Sequence, residues 1–392
     1  MADRLNIALV GATGKVAAPA HLSGLMQLPN ASLYAVCDID PDGVGELADR
    51  TGSLAHTSFE EVLADPHVDA IDLVTPPFLH AEQTISAAQA GKHVYCEKPM
   101  AHSLSEATAM VEAHREAGTT LMVGESYVFH HPIVAARAVI DNGDIGDVIH
   151  IRETKGPWIM KPEEAARLSG MSHEANATWR VDPKLSGGGN FPWIMDHAPH
   201  FFATARYFAC DASVVSVTAH AQAAQTQTAS ERVSGTGAST GQAITSVAWN
   251  FNNGIDSSWN QVEAEGRAVQ EVGFVTVVHG TKGTLRVFGE GGGAAPGRTQ
   301  LPAVVLYRDG TERIVDVGNS DDRVWQSNNN YYDASHQAAL EHWITSIVDG
   351  RSVRYSGRDG LIDLKCTLVT IKSAEERRTV LPGELERNWT AY

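Results

Sequence analysis

The sequence predicts a doubly wound α/β parallel sheet followed by an α+β domain with a mostly antiparallel sheet. Between residues 5 and 123, short apolar runs alternate regularly with helix-length segments, the order that builds parallel strands joined by crossover helices. Beyond residue 126 a series of strand-like segments follow one another with turns instead of helices between them, which implies antiparallel pairing. The chain of 392 residues is also longer than one domain of roughly 100–200 residues, so two domains are expected, divided as 1–126 and 127–392.

Residues 5–10 are a continuous apolar run apart from Asn6, as a central strand buried on both faces requires. The turn Gly11-Ala12-Thr13-Gly14-Lys15-Val16 follows at once and leads into an apolar helical stretch over 21–28. In that order, backbone N–H groups at the helix start favour a pyrophosphate, making Gly11, Thr13, Gly14, Lys15 and Val16 candidates for cofactor binding. Thr13 and Val16 stand where the second and third glycines of Gly-x-Gly-x-x-Gly would be, so an ordinary strand-to-helix turn is the competing reading. The strand over 32–37 ends at Asp38, close to where an acidic residue accepts the ribose 2′-hydroxyl of NAD. A carboxylate there repels the 2′-phosphate of NADP, and Asp40 and Asp42 deepen the negative field, so NAD is the expected cofactor. The alternative for Asp38 is a polar residue at a strand end.

A helix over 42–51, a short strand near Ala55, a helix over 58–64 and a strand over 69–74 come next. Thr75, Pro76 and Pro77 then make a rigid corner suited to a flat group such as nicotinamide or adenine. His80, at the start of the helix over 81–90, is a candidate to face the cleft; packing or capping is the alternative. The strand over 93–96 leads to Glu97-Lys98-Pro99, where an ammonium meets the carboxyl edge of the sheet, the place open α/β folds bind ligands. Glu97 can hold the charge and orientation of Lys98, and Pro99 biases it toward an extended conformation. A surface lysine paired with its neighbour is the plain alternative. The helix over 103–117 and the strand over 120–123 complete the parallel part.

The formal net charge of -17, with 30 Lys+Arg against 47 Asp+Glu, argues against a nucleic acid partner. Cys37, Cys96, Cys210 and Cys366 are scattered with no Cys-x-x-Cys pair, which fits reduced thiols and a cytoplasmic protein. Asp3 and Arg4 precede the first strand directly, leaving no room for a signal peptide, and no uncharged run reaches the roughly 18 residues that span a bilayer.

In the second half, strands are expected over 148–153, 214–221, 243–251, 256–264, 271–279, 283–288, 303–308 and 312–317, with long loops over 222–242 and 289–301. Asp196 and His200 are four residues apart and share one helix face, with Pro199 expected near the helix start. An imidazole titrating near neutral pH can take a proton from a hydroxyl while the carboxylate binds another or orients the ring. His197 is a further candidate. A metal cluster of Asp196, His197 and His200 is disfavoured because no third segment supplies ligands, and no metal is expected. Lys155, Trp158 and Arg180 offer contacts to an anionic substituent, and Trp158, Trp179 and Trp193 offer flat faces for sugar rings, against the alternative that they are core.

Taken together, residues 11–17, Asp38, residues 75–80, Glu97-Lys98-Pro99, Pro132, residues 142–148, the segment from Gly187 to His200 and the stretch 339–382 resemble the Gfo/Idh/MocA oxidoreductases. The resemblance implies a Rossmann-type first domain and a large open sheet in the second, whose exposed face packs on a partner subunit to give a homodimer or homotetramer. It implies Lys98, Asp196 and His200 as a catalytic set that meets across the cleft, with Trp179 and Arg180 near cofactor or substrate. Two departures stand out: the spacing from the glycines to Asp196 is about two residues longer than the family's, and no arginine precedes Pro132. The expected activity is NAD-dependent hydride transfer at a secondary hydroxyl of a sugar, polyol or sugar derivative. Transient oxidation in an NAD-dependent glycosidase is the alternative, and a non-catalytic dinucleotide sensor the more remote one.

Overall fold

The computed structural model describes residues 4–14, 17–155, 182–222, 244–262, 274–289, 302–318 and 328–391. The chain divides into two compact units, the first built from residues 1–126, 333–364 and 387–390, the second from 127–332, 365–386 and 391–392. The segments 333–364 and 387–390 therefore pack with the first unit, not with the second half of the chain.

In the first unit, β1 (Leu5–Val10), β2 (Ala31–Cys37), β3 (Leu54–His56), β4 (Ala70–Leu73), β5 (His93–Glu97) and β6 (Leu121–Gly124) form one parallel sheet in the order β3-β2-β1-β4-β5-β6. The strand order reverses beside β1, which pairs with both β2 and β4. Crossover helices α1 (Ala18–Gln27), α2 (Pro41–Thr51), α3 (Phe59–Ala64), α4 (Pro77–Gln89) and α5 (Leu104–Ala117) join the strands. Their limits follow from local chemistry. Asp40 and Ser58 accept backbone N–H groups at the starts of α2 and α3, Ser103 and Glu106 form a reciprocal capping box on α5, and Gly118 ends α5 in the left-handed region. The inner strand β4 and the edge strand β6 are buried at every position, as strands covered on both faces must be.

The helix α1 meets a later helix of the same unit closely. A Cβ on Gly24 would lie 3.0 Å from Leu340 Cδ1 and 3.4 Å from the Gln337 backbone, so the absent side chain lets the two helices approach.

In the second unit, β7 (Val148–Lys155), β8 (Val214–Ala221), β9 (Ile244–Phe251), β10 (Asp256–Val262), β11 (Phe274–Gly280), β12 (Thr284–Phe288), β13 (Val304–Arg308) and β14 (Thr311–Ile314) form one sheet. Its order is β14-β13-β12-β11-β7-β10-β9-β8, antiparallel throughout except for the β7–β10 pair. Helix α6 (His131–Asp141) and the short α7 (Pro183–Ser186) precede α8 (Pro192–Phe208), which covers one face of this sheet: Phe201 stacks on Trp259 at 4.3 Å and Phe202 meets Trp249 at 4.8 Å. The expected loops over 222–242 and 289–301 lie almost wholly outside the described residues.

Pro199 corrects one expectation. The helix begins at Pro192, whose missing N–H is no loss there, and Pro199 lies two turns inside. An internal proline costs a helix about 3 kcal/mol. Here nearly every residue from Pro192 to Phe208 is buried except Asp196, His197 and Tyr207, and that packing outweighs the local penalty.

Candidate functional site

The carboxyl edge of the parallel sheet gathers the candidates of the first unit. Gly11 follows β1 with φ +85, and a Cβ on it would lie 2.9 Å from Thr75 N, so only glycine allows the two turns at the ends of β1 and β4 to touch. Asp38, at the end of β2, accepts the Thr13 N–H on Oδ2 at 2.9 Å. It thereby anchors the glycine turn and carries its negative charge to the same edge. Lys15 and Val16 lie outside the described residues. These features fit a dinucleotide: a helix start at the reversal of strand order, a turn too tight for side chains, and a carboxylate beside it.

The corner after β4 is built by Thr75, whose hydroxyl bonds Gln83 Oε1 at 2.6 Å, and by Pro76 and Pro77 at the start of α4. His80 does not face outward, as the cleft reading required. It is 0% exposed, with Nδ1 at 3.0 Å from Pro99 O and Nε2 at 2.8 Å from Thr75 O. The ring braces the two corners from behind. Burial holds its pKa below the usual histidine value despite those carbonyls.

Glu97 ends β5, and Lys98, half-buried, follows it before a cis Lys98–Pro99 bond. The Glu97 carboxylate turns back so that Oε2 accepts the Lys98 backbone N–H at 3.1 Å. Oε1 takes His21 Nε2 at 3.1 Å and lies 3.8 Å from His336 Nε2. His21 Nδ1 in turn bonds Asp72 at 2.9 and 3.0 Å. Burial alone would raise the Glu97 pKa, but the bond and charge of His21, with His336 and Lys98, bring it down to about 2. Burial opposes a charged His21, yet the two carboxylates raise its pKa to about 10. Its two ring nitrogens thus face one carboxylate each, an arrangement that favours the protonated ring. Burial raises the Asp72 pKa, and the charge and hydrogen bond of His21 offset only part of that rise.

His21, Glu97 and His336 also have one ligand atom each within 4.8 Å of one another. An ion placed among them would have to replace the direct 3.1 Å hydrogen bond of His21 to Glu97. The sequence reading missed this cluster. One signal was present: an aspartate inside the apolar run Ala70-Ile71-Asp72-Leu73 must have a partner when that strand is buried.

In the second unit, α8 and β7 assemble the other candidates. Asp196 and His197 are half-buried, with His197 Nε2 3.6 Å from Asp196 Oδ2 and His197 Nδ1 3.1 Å from Gln261 Nε2 on β10. His200 is buried, with its ring 4.2 Å from that of Tyr127. Lys155 is buried on the same sheet face as its pair partners Gln261 and Phe274, with Nζ 4.9 Å from the Phe274 ring. Glu153 and Thr276 neighbour it on that face, and with Tyr127, His200, Phe201 and Thr204 they line one cavity. Trp193 does not serve as a sugar platform. It is 6% exposed, its N–H bonds Thr245 Oγ1 at 2.7 Å, and its edge meets Phe191, so it belongs to the core. Trp158, Trp179 and Arg180 lie outside the described residues.

Comparison with known proteins accounts for both units. The oxidoreductase family model for an NAD-binding Rossmann fold matches residues 5–125, and the family's C-terminal alpha/beta domain matches residues 137–381. A levoglucosan dehydrogenase from Pseudarthrobacter phenanthrenivorans is 29% identical over 54% of this chain and 53% of its own. A 2,7-anhydro-N-acetylneuraminate hydratase from Escherichia coli is 33% identical over 39% of this chain and 38% of its own. The chain thus spans about two-fifths to one half of these relatives' length. The solved structure of an oxidoreductase from Agrobacterium radiobacter in complex with NAD+, L-tartaric acid and magnesium has the same fold, with TM-score 0.75 at 22% identity over 97% of this chain and 99% of that one. With models of both parts matched, the chain belongs to the Gfo/Idh/MocA oxidoreductase family, and its first part is an NAD-binding Rossmann fold.

Proposed function

We propose that the protein catalyses NAD-dependent hydride transfer at a secondary hydroxyl of a sugar, polyol or sugar derivative. The observation that carries this reading is the shared sheet edge: the Gly11 turn, Asp38 and Lys98 all stand at the carboxyl ends of β1, β2 and β5. Similarity to a levoglucosan dehydrogenase supports a carbohydrate substrate. NAD over NADP follows from Asp38, whose carboxylate disfavours a 2′-phosphate.

Bound NAD supplies the hydride chemistry. The chain's own residues bind and orient it and manage the proton. Gly11, Thr13, Gly14 and Asp38, with Lys15 and Val16, hold the dinucleotide, and Thr75 and Pro76 shape the corner beside it. The Lys98 ammonium stabilises negative charge on the reacting oxygen, and His200 takes or returns the hydroxyl proton. Asp196 orients the ring or a neighbouring hydroxyl, and Lys155 and His197 contact the substrate. Trp179 and Arg180 complete the cofactor side in this proposal.

The test is absorbance at 340 nm with excess NAD over a panel of free sugars, polyols, sugar acids and aryl glycosides, with aglycone release followed in parallel. Steady NADH formation with one class supports the dehydrogenase; silence in both channels despite NAD binding overturns it. Similarity to a hydratase acting on an anhydro sugar favours a second reading, a redox-neutral reaction through transient oxidation, which predicts product without net NADH.

We also place the protein in the cytoplasm, since all four cysteines are free thiols. Among the described residues no helix is long and apolar enough to cross a membrane. The sheet face opposite α8, with Arg152, Ser246, Asn250 and Asn260 exposed, is proposed to pair with a second copy of the chain. Light scattering should then give at least twice the monomer mass of 42.0 kDa, and a monomer at micromolar concentration would remove that part of the proposal.

A further inference from the structure

The cluster behind Glu97 has no place in the hydride-transfer scheme, yet it is among the most buried groupings of charge in the first unit. His21 and Asp72 are 0% exposed, His336 2% and Glu97 7%. Burying two carboxylates and two imidazoles is costly unless each is paired, and these are paired in a definite direction. Asp72 holds His21 Nδ1, which points His21 Nε2 at Glu97 Oε1. His336 approaches the same oxygen from a different segment.

Three features of the fold serve this convergence. Gly124, opposite Glu97 in the β5–β6 register, leaves room for the carboxylate: a Cβ there would lie 2.5 Å from Glu97 Oε1. Gly24, one turn after His21 on α1, lets the helix α9 (Asn328–Val348) approach α1, and α9 carries His336 beside Gln337. Tyr95 walls the cluster, with its ring 5.5 Å from His21 and 5.6 Å from Trp343. With Oε1 held by the histidines, the other carboxylate oxygen is left directed at the Lys98 N–H.

We propose that His21, backed by Asp72, and His336 form a buried clamp that fixes the Glu97 carboxylate and through it the Glu97–Lys98 peptide, making both histidines positioning residues for the Lys98 ammonium. Neither histidine touches the reacting atoms in this scheme; each acts through Glu97. The importance of the clamp for turnover rests on the reading of Lys98 given above, but the clamp itself can be tested without substrate or cofactor.

The experiment is competitive acetylation of the full chain with limiting N-hydroxysuccinimidyl acetate at one pH, with the rate at each lysine read by peptide mass spectrometry. Lys92 is an internal control in the same unit, since its Nζ is held by Asp65 O at 2.8 Å and Val68 O at 2.7 Å and responds to loosening of the unit as a whole. In His336→Leu the clamp loses one arm, and acetylation of Lys98 should rise at least threefold while Lys92 stays within a factor of two. His336→Gln keeps an N–H donor near the Nε2 position and should leave Lys98 within twofold of the parent. Should His336→Leu fail to fold, Glu97→Gln serves in its place: it keeps the shape and the acceptor for the Lys98 N–H, removes the charge the histidines hold, and should release Lys98 likewise.

An unchanged Lys98 rate in the folded Leu and Glu97→Gln variants would overturn the proposal. So would a parallel rise at Lys92, which would mark a general loss of structure, or a Gln variant as reactive as Leu. Stoichiometric metal in the purified parent that disappears in His336→Leu would also overturn it, by making the cluster a ligand set. Failure of the dehydrogenase assay would leave the labelling pattern intact, so the two ideas fall separately.

Discussion

Asp38 performs two tasks with one carboxylate: it takes the Thr13 N–H and sets the charge of the sheet edge. Asp38→Ser should therefore weaken use of NAD and relax discrimination against NADP. A tenfold loss of kcat/KM with NAD, or about 1.4 kcal/mol, together with a rise in the NADP/NAD ratio, is expected. Steady-state rates with both cofactors on one substrate check it, and an unchanged ratio would end the argument for specificity from Asp38. Lys98→Ala should cost about 10²–10³-fold in kcat, the scale of losing one charge-stabilising donor, while NADH fluorescence titration shows binding within a few-fold. At this scale, what the sequence made legible was local. Glu97 and Lys98 are adjacent, and Asp38 follows an apolar run. The contacts of His21 with Asp72 and Glu97 bridge 51 and 76 residues, and no pattern within a window of sequence records which distant partner a buried charge has. For His80 and Trp193 residue type left a cleft role and a packing role both open, and the contacts with Thr75 O, Pro99 O and Thr245 Oγ1 show the packing role.

Among the elements, the strands and crossover helices of the first unit were readable because their signals are short-range. Ser58, the Ser103–Glu106 box and Gly118 mark helix ends without reference to anything distant. The start of α8 was not, because local rules place a proline early in a helix, and the burial that overrides the rule at Pro199 is a property of the packed unit. The approach of α1 to α9 is of the same kind. Gly24 looks like an ordinary helix-weakening residue in sequence, yet its missing Cβ admits Leu340 and Gln337. Gly24→Val should gain helix propensity and still destabilise the protein, since the added methyls meet side chain and backbone at once. Overpacking of this sort costs about 1–3 kcal/mol. The midpoint of urea unfolding should fall accordingly, and a midpoint equal to or above the parent's would show that α9 can give way. His21 and His336 ride on these two helices, so the same substitution should also raise Lys98 acetylation.

For the molecule as a whole, the buried histidines set a pH dependence of stability whose sign differs on the two sides of neutrality. His21 has its pKa raised from 6.5 to about 10, because Asp72 and Glu97 outweigh the burial that opposes its charge. Its contribution is fully present below 6.5, where the unfolded chain is also protonated, and is lost as pH rises from 6.5 through about 10. Over that window stability falls as pH rises, because the unfolded chain gives up the proton that the folded chain keeps. His114 and His130 are depressed by burial to about 4 and about 3. They stay neutral in the folded chain while the unfolded chain takes up protons, so their contribution is present above 6.5 and is lost as pH falls toward those values. Glu97, lowered to about 2 from 4.5, adds a further loss only below 4.5. The two limbs meet near pH 6.5, where stability should be greatest. Urea midpoints for the parent should decline from pH 6.5 to 9, and in His21→Asn, which cannot carry the proton, the alkaline decline should flatten while the acid limb persists. A parent whose midpoint is level from pH 6.5 to 9, or a His21→Asn protein with the parent's slope, would show that no imidazolium is stored between Asp72 and Glu97.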